Sequence, residues 1–256
     1  MHRLMFACVS IVFALATFAV PALAETKSLT VGVKRHMGAT LIAPDGPGPY
    51  PGVLILHTSG GLERADLDYA TRLSEQGYVC LVPAFMQAYG ITAKTRVQTF
   101  TSSADDVYGD LVNAIEVLRA SDKVAGAKVG AIGFSNGGYF AVWLAATGKV
   151  DAGVSYYGAL SGAGSDRDLT RFKSVFTGNS SPVLILHGTG DRTVPIESAK
   201  RLVSILDAAK TSYEVHLYDD VDHRFDRDAR TDAMKAAALD AWSRTLTFLG
   251  ATLGSR

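Results

Sequence analysis

Apolar residues in this chain follow two recurring patterns, short unbroken runs and stripes at a helical repeat. Val53-Leu-Ile-Leu56, Val79-Cys-Leu-Val82 and Val183-Leu-Ile-Leu186 are unbroken runs, the pattern of strands covered on both faces. Leu29–Lys34, Ala39–Ile42, Lys128–Ile132, Ala152–Tyr156 and Glu214–Leu217 complete the predicted strands. Between them the repeat predicts helices over residues 63–76, 105–118, 137–146, 196–208 and 232–249. The clearest is 105–118, where Val107, Leu111, Ile115 and Leu118 share one face. Pro44–Pro51 is dense in Pro and Gly and reads as a loop. Residues 84–103 have little periodicity and are predicted to be a loop. Residues 158–181, rich in Gly, Ser and Asp, are predicted as a loop or short insertion. Strands alternating with helices imply an α/β fold, a mostly parallel central sheet with helices on both faces. Reactive groups in such sheets sit just beyond the carboxyl ends of the strands.

The N-terminus departs from this pattern. Arg3 precedes an apolar run from Leu4 to Val20, followed by Pro21-Ala-Leu-Ala24. A charged, then apolar, then small-residue order is that of a secretory signal cleaved before Glu25, and the run is short for a membrane span. The expected organisation is a signal over residues 1–24 and one domain over 25–256, with a periplasmic or secreted location. The full chain has 25 basic and 25 acidic residues, which gives no cationic surface for nucleic acid or anionic membrane. Of the two cysteines, only Cys80 lies outside the signal, so no internal disulfide is expected. Its apolar neighbours suggest a buried small hydrophobe.

Candidate chemistry falls after the predicted strands. Gly133-Phe-Ser-Asn-Gly137 matches G-x-S-x-G between a strand and a helix, the context in which a sharp turn lifts a serine hydroxyl clear of the sheet. A serine so placed needs a base, and the base needs an orienting acid, in the chain order Ser, Asp or Glu, His. Of the six histidines, His223 alone follows the last predicted strand in a polar loop. Asp191 follows the run Val183–Leu186 by one turn and is the preferred acid; Asp220 and Asp222 are the alternatives. The oxyanion of an acyl transfer would meet the backbone amide of Asn136, the residue after the serine. A second amide would come from the loop His57-Thr-Ser-Gly-Gly61.

Taken together, these segments resemble the dienelactone hydrolase family of the α/β-hydrolases. The resemblance rests on Leu56-His-Thr-Ser-Gly-Gly-Leu62, Gly77-Tyr-Val-Cys-Leu-Val-Pro83, Gly133-Phe-Ser-Asn-Gly-Gly138, His187-Gly-Thr-Gly-Asp191 with Val194-Pro195, and Asp222-His223 with Phe225. It implies an α/β-hydrolase fold without a large cap, no metal, no organic cofactor, and a small-molecule ester or lactone as substrate. Residue matching places the second oxyanion donor at the Ser59 amide. It also places Arg227 where dienelactone-cleaving members bind a substrate carboxylate; a surface arginine is the other reading. Phe85 and Tyr157, with Met86, Tyr89 and Phe176, are candidates for pocket walls or for core packing. The chain departs from the dienelactone-cleaving pattern in three ways. It has Ser135 in place of cysteine, Thr58 in place of a glutamate, and no arginine in Ala84–Tyr89. These departures suit ester hydrolysis by a serine, cysteine-free mechanism. Lactone, amide or peptide cleavage on the same residues is the alternative, and a silent ligand-binding member is the second.

Overall fold

The computed structural model describes residues 24–160 and 171–254. Among them are strands β1 Glu25–Val31, β2 Met37–Ala43, β3 Gly52–Leu56, β4 Val79–Pro83, β5 Val129–Phe134, β6 Ala152–Tyr156, β7 Val183–Gly188 and β8 Tyr213–Tyr218. The helices are α1 Arg64–Ser74, α2 Phe85–Ala88, α3 Ala104–Arg119, α4 Asn136–Ala146, α5 Glu197–Ala209 and α6 Asp232–Leu253; residues 171–175 are helical as well. The strands form one sheet in the order β1-β2-β4-β3-β5-β6-β7-β8. β1 and β2 pair antiparallel, as do β2 and β4, and every other neighbouring pair is parallel.

Alternation of side chains along each strand divides the core in two. Leu54, Leu56 and Leu81 join α3, α4 and α5 on one face of the sheet. Val53, Ile55 and Cys80 join α1 and α6 on the other. Burying one large aliphatic side chain is worth roughly 1.5–3 kcal/mol, so unbroken runs such as 53–56 require cover on both faces. All of α4 is buried, as expected of a helix that is apolar all round. The order of strands reverses around β3, which lies between β4 and β5. Open α/β sheets bind ligands beyond the carboxyl ends of the strands at such a reversal, here β3 and β5.

Two expected elements differ. The first strand spans Glu25–Val31 rather than running on to Lys34. Gly32 turns the chain at φ 97°, where a β-carbon would lie 2.2 Å from the Arg35 carbonyl oxygen. Asp110 of α3 then holds the turn by accepting the amides of Val33, Lys34 and Arg35 at 2.6, 2.7 and 2.9 Å. Residues 84–103, expected to be a loop, contain α2 and a 3-10 turn at Arg96–Phe100. Both are too short for a periodic signature.

Candidate active site

The backbone turns sharply where β5 meets α4. Ser135 adopts φ 53° and ψ −110°, a conformation that costs a non-glycine residue about 1–3 kcal/mol and must be held by its surroundings. The Ser135 amide donates to the Tyr156 carbonyl at 3.0 Å, and its own carbonyl accepts the amides of Gly138 and Ala159 at 2.9 and 3.0 Å. The flanking glycines are obligatory. A β-carbon on Gly133 would lie 2.1 Å from the Gly137 carbonyl oxygen, and one on Gly137 2.1 Å from that of Leu56.

His223, in the loop after β8, points its Nε2 at the Ser135 hydroxyl, 3.2 Å away. Its Nδ1 lies 2.6 Å from Asp191 Oδ2. A carboxylate only accepts, so Nδ1 carries the proton and the Nε2 lone pair faces the serine. Asp191, in the loop after β7, is fixed through its other oxygen, which accepts the amides of Thr193 and Val194, both at 2.8 Å. Its side chain is fully buried. A second histidine braces this loop. His187 donates from Nε2 to the Val194 carbonyl at 2.9 Å and sits 3.6 Å from Asp191 Oδ2. Burial lowers its pKa and keeps the ring neutral. A hydroxyl, an imidazole and a carboxylate in this sequence of contacts can take a proton from the serine as it attacks an acyl carbon.

The two alternative acids serve elsewhere. Asp222 accepts the backbone amide and the guanidinium of Arg192, and the Arg192 hydrogen bond depresses its carboxyl to about 2. Asp220 lies at φ 56° with its amide donating to Thr189 Oγ1 at 3.0 Å.

The loop after β3 forms a tight turn, in which the Gly61 amide donates to the Thr58 carbonyl at 3.1 Å. Ser59 occupies the turn and is half-buried. His57 anchors its start. Nδ1–H donates to the Thr58 carbonyl at 2.8 Å, and the ring stacks on Phe85 at 4.1 Å. Burial lowers the His57 pKa and keeps it neutral. Asn136, first residue of α4, is buried, and its side-chain amide donates to Thr99 Oγ1 at 2.9 Å. The 3-10 turn within residues 84–103 is thus tied beside Ser135.

The side chains of the three expected substrate contacts are all buried. Arg227 has its side chain buried rather than at the surface, and its Nη2 has no hydrogen-bond partner among the described residues. Its side chain is 4% exposed and donates to Asp66 at 2.7 Å and Asp226 at 2.9 Å, with the guanidinium 4.2 Å above the Phe134 ring. Phe85 is fully buried between His57 and Phe140. Tyr157 is also fully buried; its hydroxyl donates to Asp226 and its ring meets His223 edge-on at 4.5 Å. Burial holds the phenol well above its ordinary pKa, so it remains a donor. Of the other pocket candidates, Met86 and Phe176 are buried, and Tyr89 donates to Asp110 at 2.6 Å.

Several contributors escape the sequence pattern. Arg224 donates to Glu63 at 2.8 Å and Asp228 at 2.6 Å, clamping the His223 loop to the start of α1. Partners 161 positions apart leave no local motif. Among the described residues, no cluster of three or more His, Cys, Asp or Glu side chains is arranged to hold a metal ion.

The model of the dienelactone hydrolase family matches residues 37–253. The chain belongs to the dienelactone hydrolase family. It is 28% identical over 225 residues to a carboxymethylenebutenolidase of Pseudomonas putida, covering 84% of this chain and 91% of that protein. Among solved structures, a dienelactone hydrolase-like promiscuous phosphotriesterase from metagenomic libraries superimposes with a TM-score of 0.75 at 21% identity, covering 91% of this chain and all of that one. A thermophilic esterase from Thermogutta terrifontis superimposes with a TM-score of 0.70 at 18% identity, covering 91% and 94%. Both likenesses are of fold, and this dienelactone hydrolase family member has the α/β-hydrolase fold with no large cap among its described residues.

Proposed function

We propose that this chain is an exported serine hydrolase that cleaves carboxylic esters through an acyl-enzyme. The observation that supports it most directly is the His223 imidazole lying between the Ser135 hydroxyl at 3.2 Å and the Asp191 carboxylate at 2.6 Å. In this reading His223 Nε2 takes the Ser135 proton as Oγ attacks the ester carbonyl. The amides of Asn136 and Ser59 hold the oxyanion, each such donor being worth about 3 kcal/mol of barrier. Asp191 keeps the imidazole in its Nδ1–H tautomer and offsets the charge it gains. His223 then returns the proton to the departing alcohol, and a water deprotonated by the same imidazole releases the acid.

A fluorophosphonate probe on the purified protein tests the reading, with the adduct located by peptide mass spectrometry. The expected result is a single adduct on Ser135 that disappears in His223→Ala. A folded protein that takes no label would count against it. The name of the Pseudomonas putida relative favours a second reading, lactone hydrolysis by the same groups, and a panel of esters and lactones compared by kcat/KM separates the two. Export rests on the residue order at 1–24, of which residues 1–23 lie outside the described residues. A mature N-terminus at Glu25, found by mass spectrometry of protein recovered outside the cytoplasm, is the expected outcome.

A further inference from the structure

The peptide unit between Ser135 and Asn136 carries the N–H that the proposed acyl transfer would use, and it is held at both ends. Its carbonyl oxygen accepts the amides of Gly138 and Ala159 at 2.9 and 3.0 Å. Its N–H opens α4, where a helix leaves its first donors without an intrahelical acceptor. Gly137 and Gly138 follow, so Asn136 has the only side chain among the first three residues of α4. That side chain is buried, and its Nδ2 donates to Thr99 Oγ1 at 2.9 Å. Thr99 is fully buried, and its hydroxyl proton goes to the Arg96 carbonyl at 2.6 Å. The oxygen lone pairs are thereby left to face Asn136. The next residue, Phe100, meets Tyr139 of α4 edge-on at 4.9 Å. Two successive residues therefore grip the start of α4, at the end of a stretch, residues 92–98, that is mostly exposed.

We infer that Thr99 is a positioning residue for the oxyanion: it holds Asn136 by its side chain and so fixes the direction of the Asn136 N–H. This role rests on the proposed ester hydrolysis, because the oxyanion forms only there. Ser135 adopts φ 53°, a conformation its own preference does not maintain, so the peptide plane after it depends on what it is tied to. A backbone donor stabilises the reaction only while it is aimed at the developing charge, and a displacement of about 1 Å can cost about 10²-fold in rate. Without the Thr99 tether the Ser135 carbonyl stays held, and the Asn136 end of the same peptide is free to swing about it. Thr99 acts through Asn136, not on the substrate.

Variants assayed on 4-nitrophenyl butyrate test the role. Thr99→Val keeps the shape of the side chain and removes its hydroxyl. Asn136→Ala removes the same hydrogen bond from the other side and leaves the Thr99–Arg96 bond in place, so it decides the matter if Thr99→Val does not fold. Each is expected to lower kcat about tenfold or more with KM within about threefold. The midpoint of the pH profile should not move, because His223 keeps its contacts. Thr99→Ser retains the hydroxyl and should stay within about threefold of the unmodified protein. The double variant Thr99→Val with Asn136→Ala should be no more than about threefold slower than the worse single one, because both cut one tether. Full activity in Asn136→Ala would overturn the role while leaving the esterase reading intact. So would a Thr99→Ser as slow as Thr99→Val, a shifted pH midpoint, or losses that multiply in the double variant. No turnover by the unmodified protein, with Ser135 unlabelled by fluorophosphonate, would overturn the esterase reading and the role of Thr99 with it.

Discussion

Asp191 shows how much depends on single atoms. One of its oxygens accepts two backbone amides and the other accepts His223 Nδ1–H. In Asp191→Asn the side-chain oxygen must stay with the two amides, so the NH2 group faces Nδ1. The imidazole then has to accept at Nδ1 and carry its proton on Nε2, where it cannot deprotonate Ser135. Ester turnover should fall by about 10⁴ with the fold retained, the size of loss a wrong tautomer produces in serine hydrolases. Steady-state kinetics with circular dichroism checks this, and a variant that keeps a tenth of its rate would rule out the tautomer argument. A different residue-level loss follows from Asp66→Ala, which leaves Arg227 buried with one carboxylate fewer. Breaking a buried pair in this way costs about 3–5 kcal/mol, to be read as a lowered midpoint in urea. Sequence alone led to Ser135, Asp191 and His223 because each follows a strand in a fixed order, and the structure brings these three together. It could not place Arg227, Phe85 and Tyr157, whose surroundings depend on partners far along the chain. No composition or spacing around Arg227 announces Asp66, and an aromatic residue near a strand end has the same appearance whether it lines a pocket or fills a core.

Elements were legible in proportion to their length. The buried strands and the helices α3, α4 and α6 are long enough for a period to emerge, and their predicted bounds lie within a few residues of the structure. The 3-10 turn at Arg96–Phe100 and the four-residue α2 are held by local hydrogen bonds and by Thr99 at Asn136, which leave no hydropathy pattern. The turn between β1 and β2 is a similar case, since it depends on Asp110 of the distant α3. Tyr89 joins the three amides there, donating to Asp110 at 2.6 Å. Burial pushes the Asp110 carboxyl up, but these donors outweigh it and its pKa falls below the ordinary value. A carboxyl depressed in the folded state stabilises it above the ordinary carboxylate range, and that stability is lost as pH falls through the depressed value. The turn should therefore be firm at pH 7 and loosen first in acid. Asp110→Ala removes the acceptor of three amides and should cost about 2–4 kcal/mol at pH 7, with the difference from the unmodified protein shrinking as pH falls below the ordinary carboxylate range. Urea denaturation at pH 7 and pH 3 measures both, and a pH-independent difference would show that charge on Asp110 contributes nothing.

For the whole molecule, the alternation of runs and stripes was enough to give the layered architecture, because each strand of a two-sided sheet needs apolar residues on both faces. The edges were less legible. The antiparallel pairing of β1 and β2 breaks the parallel rule, and although the polar, exposed Glu25–Val31 differs from the apolar inner strands, that polarity marks an edge and not a direction. The central sheet makes Cys80 a reporter for the integrity of the fold. It lies on β4 between β2 and β3, fully buried among residues of the α1 and α6 face. Burial pushes its thiol well above its ordinary pKa. A thiolate is the reactive form, so the native protein offers a labelling reagent neither access nor nucleophile. Exposing Cys80 requires separating α1 from the sheet or opening the sheet itself, which removes the core on that face. Labelling located at Cys80 by peptide mass spectrometry should thus be slow in the native protein and should accelerate with urea along the same slope as global unfolding. A shallow slope or rapid labelling without denaturant would mean that the α1 face opens as a unit. Because Arg224 and Arg227 tie α1 to the His223 loop, such an opening would dismantle the site before the rest of the fold.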